Sequence, residues 1–156
     1  MPIICKEERY MRAMDVSEYI LRKQPMHNLK LQKLLYFVQA YFLIKKGIPC
    51  FSDKIYAWDS GPTVPSVYRY FRKYAFLAFP EDVYIVENED GRIEKRRYNT
   101  ERISENDKKL IDEVLKAFSD HSFLWMLDLI RGQDPYAKAR KDESEIMLND
   151  LKKYFE

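Results

Sequence analysis

The chain has 156 residues, 46% hydrophobic and 15% aromatic, and its 27 basic against 25 acidic side chains leave a net charge of +2. A chain of this length buries most of its apolar surface in one core, so a single domain over residues 1–156 is expected, and the near-balanced charge excludes a general electrostatic drive toward nucleic acid or membrane. Four glycines leave little material for linkers or a phosphate-cradling loop, and two cysteines, Cys5 and Cys50, exclude a framework of several disulfides and point to reduced thiols in a cytoplasmic protein.

Met1 to Arg12 carries charges throughout and has no apolar core of a secretory leader. Asp15 and Glu18 have the spacing of a capping box and predict a first helix to about Lys23, with Val16, Ile20 and Tyr19 toward the core and Pro25 ending it. Asn28 is the expected cap of a longer helix that runs to Lys46 and stops at Gly47. On it Leu31, Leu34, Leu35, Val38 and Phe42 recur at spacings of three and four. Tyr36, Phe37, Tyr41 and Leu43 carry the apolar surface around the other side, which predicts a central helix packed on several neighbours. Its most apolar run, Leu34 to Ile44, falls well short of the ~20 residues of a membrane span, so a soluble protein is expected.

Ile48 to Thr63, with two prolines and a Gly61-Pro62 break, reads as an irregular connector. Pro65 suits the first turn of a third helix through Tyr74, packed by Val67, Tyr70, Phe71 and Tyr74. Val83, Ile85 and Ile93 flank Asn88-Glu89-Asp90-Gly91 and predict an exposed two-stranded hairpin from about Asp82 to Tyr98. Ser104 and Asp107 open a fourth helix bearing Leu110, Ile111, Val114, Leu115 and Phe118. A fifth spans Ser122 to Arg131 before Gly132, and Asp134-Pro135 starts a short sixth as cap and proline. A last amphipathic helix, Glu143 to Phe155, carries Ile146, Leu148, Leu151 and Phe155. The fold class is therefore mainly α: a single-domain helical bundle around a long central helix, with one small β-hairpin.

Catalytic signatures are lacking. No HExxH, P-loop, GxSxG or GxGxxG occurs, and the two histidines, His27 and His121, lie beside helix starts where capping or surface roles are expected. No catalytic residue, metal ligand or cofactor is assigned. Two basic clusters have two readings. Arg69, Arg72 and Lys73 interleave with Tyr68, Tyr70 and Phe71, and Arg92, Lys95, Arg96 and Arg97 sit on the hairpin. Basic residues among aromatics can hold nucleic acid, and they equally make a solvated helix face and a strand edge guarded against aggregation.

Three segments together resemble the Panacea domain family, which includes SocA-like antitoxins and many phage-associated proteins. The first is Asn28-Leu-Lys-Leu-Gln-Lys-Leu-Leu-Tyr36, continuing to Tyr41. The second is Ala57-Trp58-Asp-Ser-Gly61-Pro62-Thr63-Val64-Pro65 with Val67-Tyr68, and the third is Asp134-Pro135-Tyr136-Ala137-Lys138-Ala139-Arg140. The order matches from Asp15 to Arg140. Departures are Ile130-Arg131 where the family often has Thr-His, Tyr136 for Trp, and Thr63 for Val. The resemblance implies an antitoxin that binds and blocks a toxin encoded nearby, or, in the SocA-like branch, an adaptor that delivers the toxin to an ATP-dependent protease. A nucleic-acid-binding regulator is the alternative from another class.

The candidate partner-binding residues are Lys30, Gln32, Lys33, Tyr36, Trp58, Tyr68 and Arg140. Lys30, Gln32 and Lys33 are polar on an otherwise apolar helix, so something polar or a partner must lie beside them. Gln32 and Tyr36, four apart, share a face and are expected either to join an internal network with Trp58 or Arg140 or to touch the toxin. Trp58 is expected as a core anchor, and Gly61-Pro62 as a tight turn.

Overall fold

The computed structural model describes residues 11–74, 83–87, 90–97 and 103–156, with backbone alone for 83–87 and 93–97. Among these residues the elements run α1 (Ala13–Lys23), α2 (Asn28–Lys46), β1 (Tyr56–Trp58), β2 (Gly61–Thr63), α3 (Pro65–Phe71), β3 (Val83–Glu87), β4 (Ile93–Arg97), α4 (Glu105–Phe118), α5 (Phe123–Arg131), α6 (Asp134–Arg140) and α7 (Leu148–Phe155). The fold is mainly helical, as expected, and α2 is its axis. Leu31, Leu34, Leu35, Val38 and Phe42 are buried, and so are Tyr36, Phe37 and Leu43 on its other sides. A helix with apolar residues around most of its circumference must be covered from several directions. Here α1, α3, α4, α5, α7 and β2 all pack on it. No helix among the described residues is long and apolar enough to cross a membrane.

Several helix starts differ from the sequence expectation. α1 begins at Ala13, and the Ala13 N–H donates to Asp53 Oδ1 at 2.8 Å. Asp15 and Glu18 are buried within the helix and form no capping box. His27, not Asn28, occupies the cap of α2, its Nδ1 accepting from the Leu29 N–H at 3.0 Å. Gln133 replaces Asp134 at the cap of α6. Ser104 and Ser122 cap α4 and α5 in the expected way, accepting from the Asp107 and Trp125 N–H groups, each at 3.1 Å. At the far end of α2, Gly47 takes φ 74° and its N–H closes on the Leu43 carbonyl at 3.0 Å, the left-handed stop that glycine adopts at little cost.

The connector after α2 is not irregular throughout. β1 and β2 pair antiparallel, Tyr56 opposite Thr63 and Trp58 opposite Gly61. Residues 144–146 add to the other edge of β1: the Ala57 N–H donates to the Ser144 carbonyl at 3.0 Å and the Ile146 N–H to the Ile55 carbonyl at 2.8 Å. This pairing holds residues 144–146 extended, so α7 starts at Leu148 rather than at Glu143. Leu148, expected in the core, is exposed, while Ile146 and Leu151 are buried. α3 stops at Phe71, short of Tyr74, although Tyr70 and Tyr74 still pack against the core. β3 and β4 form the expected hairpin, Val83 opposite Arg97 and Glu87 opposite Ile93, with Gly91 at φ 82°. The expected hairpin bounds Asp82 and Tyr98, the turn residues Asn88 and Glu89, and Cys5 lie outside the described residues. Cys50 is a free, buried thiol whose ionisation that burial opposes.

Candidate functional site

The buried polar residues of α2 are Asn28, Gln32, Lys33 and Gln39, joined by the enclosed hydroxyl of Tyr36. Each such group is costly inside a protein unless it finds a partner, and here each ties another segment to the helix. Gln32 Oε1 accepts from the Val64 N–H at 2.9 Å and so fixes the start of α3, while its Nε2 donates to Asn28 Oδ1 at 2.9 Å. Asn28 Nδ2 in turn donates to the Tyr68 carbonyl at 3.1 Å. Gln39 Oε1 accepts from the N–H groups of Cys50 and Phe51 at 2.8 and 3.2 Å, and its Nε2 donates to the Phe51 carbonyl at 2.8 Å. The Tyr36 hydroxyl donates to Gln133 Oε1 at 2.7 Å, joining α2 to the start of α6, and burial raises the phenol above its ordinary range.

Lys33 is the unusual member. It is 1% exposed, and its ammonium donates to the Ser60 carbonyl at 2.8 Å and the Leu29 carbonyl at 3.1 Å, 5.6 Å from the centre of the Phe123 ring. Burial lowers its pKa to about 8, and the Arg131 cation pushes in the same direction. The β1–β2 turn rests directly on this side chain. A Cβ on Gly61 would lie 3.1 Å from Lys33 Cε and 3.3 Å from Leu127 Cδ1, and Gly61 also has φ 116°, so the Gly-Pro of the motif serves a close approach as well as a turn.

The seven candidate residues are therefore not brought to one surface. Gln32, Lys33 and Tyr36 are enclosed and bonded inward. The expected link from Gln32 and Tyr36 to Trp58 or Arg140 does not form, since their partners are Asn28, Val64 and Gln133. Trp58 and Tyr68 are half-buried and pack edge to face, ring centres 5.5 Å apart. The Trp58 carbonyl accepts from the Tyr136 hydroxyl, and Arg140 pairs with Asp59 next door and with Glu143 at 3.3 Å. These contacts bind the second and third sequence segments together. Lys30 reaches a different place, donating to the Ser119 carbonyl at 3.4 Å beyond the end of α4, and partial burial lowers its pKa. His27 stacks on Phe123 at 5.0 Å and His121 on Trp125 at 3.6 Å, which assigns both histidines packing contacts. In the α3 cluster, Lys73 lies over the rings of Tyr70 and Tyr74 at 4.4 and 5.4 Å. No group of acidic, His or Cys side chains with metal-binding geometry occurs among the described residues.

An exposed apolar surface escaped the sequence reading. On α5, Leu124, Trp125 and Leu129 are 62%, 43% and 42% exposed, while Met126, Leu127 and Ile130 face the core. The signal was present: Phe123-Leu-Trp-Met-Leu-Asp-Leu-Ile-Arg131 holds more large apolar side chains than one face of a nine-residue helix can bury. Beside Leu129 a groove of about 500 Å³ opens over α2, between α4 and Phe155 of α7.

A family model described as "Antitoxin SocA-like, Panacea domain" matches residues 31–135, from α2 to the start of α6. Among curated proteins, Antitoxin SocA of Caulobacter vibrioides (strain NA1000 / CB15N) is 40% identical over 76 residues. That alignment spans 46% of this chain and 40% of the relative. No solved structure matches the chain.

Proposed function

Because the chain belongs to the Antitoxin SocA-like, Panacea domain family, we propose that it is an antitoxin that neutralises a cognate toxin, encoded beside it, by direct protein–protein binding without catalysis. Family membership carries this reading, and two features of the structure support it. The buried polar groups of the signature helix are consumed in holding the β1–β2 turn, α3 and α6 in place, which suits a preorganised binding scaffold. Large apolar side chains remain uncovered on α5 and at the end of α2. A stable complex of this kind buries roughly 1,200–2,000 Å² in total, with a few aromatic or Arg anchors carrying most of the energy.

The test is co-expression with the product of the adjoining reading frame. The neighbour alone should arrest growth, the pair should grow, and the two proteins should co-purify at a fixed stoichiometry. Rescue that persists in cells lacking ATP-dependent proteases supports direct blocking, whereas rescue lost there indicates proteolytic delivery. A harmless neighbour, or no complex at micromolar concentration, refutes the antitoxin reading. Tight binding to operator DNA that falls steeply with salt, without any protein complex, replaces it with a regulator.

A further inference from the structure

We infer that the groove over α2, between α4 and α7, seats an amphipathic α-helix of the partner protein, with large apolar residues on one face and acidic residues on its shoulders. The inference rests on the antitoxin reading and names the surface and chemistry that would carry it.

The groove floor is Phe37, Ala40, Tyr41 and Ile44 of α2, spaced i, i+3, i+4 and i+7. Val114, Ala117 and Phe118 of α4 repeat the same kind of seam along one wall. Such seams are how one helix receives another. Ala40 and Ala117 give the trough its depth, because a larger side chain at either place would fill it. Phe37 stacks on Phe118 at 4.3 Å and meets Phe155 edge-on at 6.3 Å, which closes one end. From Phe37 to Ile44 the floor runs ~10 Å, about two helical turns.

The lining also decides the occupant's secondary structure. Its polar groups are few and partly engaged: the Tyr41 hydroxyl donates to the Glu113 carboxylate, and Gln133 Oε1 accepts from Tyr36. An extended segment laid here would bury a run of backbone N–H and C=O groups against mostly hydrocarbon, whereas a helix satisfies its own.

Charge at the rim selects the partner. The Lys45 ammonium lies 5.5 Å from the centre of the Tyr41 ring at one edge. Lys116, exposed, directly precedes Ala117 on the opposite wall, and Lys152 stands one turn before Phe155 on α7. Glu113, the acid of the lining, keeps its negative charge while accepting from Tyr41, and the three lysines outnumber it. Acidic shoulders on the incoming helix complement these cations. A second copy of this chain, placed groove to groove by a two-fold axis, would set one lysine-bearing rim against another, which disfavours that occupant.

Ala117→Arg places a long cation in the trough at an exposed helix position, and Lys45→Glu with Lys116→Glu reverses the rim without touching the core. Each is co-expressed with the product of the adjoining reading frame and assayed by growth rescue, co-purification and melting temperature, alongside wild type. Wild type should bind and rescue. Ala117→Arg should bind at least tenfold more weakly with its melting temperature unchanged, and the double charge reversal about tenfold more weakly at low salt, with the loss shrinking as salt is raised. If wild type rescues and both variants bind equally well, the groove assignment is overturned while the antitoxin reading stands. If wild type itself forms no complex, both fall. A wild-type homodimer that Ala117→Arg splits into monomers also overturns the assignment, because the occupant is then a second copy. Should Ala117→Arg fail to fold, the double reversal decides alone.

Discussion

Replacing Lys33 with Met tests the energetics of the signature helix most directly. In the folded chain the Lys33 ammonium is 1% exposed and its pKa is about 8, against an ordinary 10.5. Below the folded value both states carry the proton, and burying the charge costs about 3 kcal/mol. Between pH 8 and 10.5 the unfolded chain holds a proton that the folded chain has lost, so stability rises with pH. At pH 9.5 the remaining cost is about 1.5 kcal/mol, from the same two values. Met fills similar volume with no charge, and leaves the Ser60 carbonyl without its Lys33 donor, at a cost of about 1–3 kcal/mol. At pH 7 these effects nearly cancel, and the variant should be as stable as wild type or up to about 2 kcal/mol more stable. The diagnostic quantity is the difference between the two proteins, in which the titrations of all other groups cancel. It should move by about 2 kcal/mol in favour of wild type from pH 7 to pH 9.5. Urea unfolding at both pH values reads this as a relative midpoint change of roughly 1 M. Parallel stability curves for the two proteins would refute the picture of Lys33 as a buried ammonium with a depressed pKa.

Gln32→Met should destabilise by about 1–3 kcal/mol, because the buried Val64 N–H loses its acceptor. Thermal melts check the magnitude, and a neutral result would show that Gln32 does not fix the start of α3. Two glycine substitutions separate steric from backbone effects. Gly47→Ala has open space around its Cβ and should cost only about 1–2 kcal/mol for the left-handed conformation. Gly61→Ala meets Lys33 and Leu127 as well as its φ of 116°, and should be clearly the more destabilising of the two in urea unfolding; equal costs would rule out the close approach.

Much of the fold was legible because helix periodicity and turn chemistry are local. The apolar positions of α2 and α4 recur every three or four residues, Ser104 and Ser122 stand where an N-cap is needed, and Gly47 where a left-handed stop is needed. Two of the expected features that shifted, the starts of α1 and α7, depended on long-range bonds. Asp53 takes the Ala13 N–H across forty residues, and residues 144–146 are held extended by β1, some ninety residues earlier. The three-residue strands β1 and β2 contain Gly61 and Pro62, which speak locally against a strand, and their pairing is supported by contacts with α2 and residues 144–146.

The sequence by itself determined the helical class, the central place of α2 and the family resemblance, since apolar spacing and motif order are readable without coordinates. It also offered Lys30, Gln32, Lys33, Tyr36, Trp58, Tyr68 and Arg140 as candidate partner-binding residues. Only the tertiary structure decided which way each one points. Gln32, Lys33 and Tyr36 turn inward because Val64, Ser60 and Gln133 bring them partners from segments 27 to 97 residues away. Leu124, Trp125 and Leu129 stay exposed because α5 is too short and too apolar to bury all of its large side chains against one core. Burial is a property of what packs against a residue, and that is set by the whole chain rather than by its neighbours in sequence.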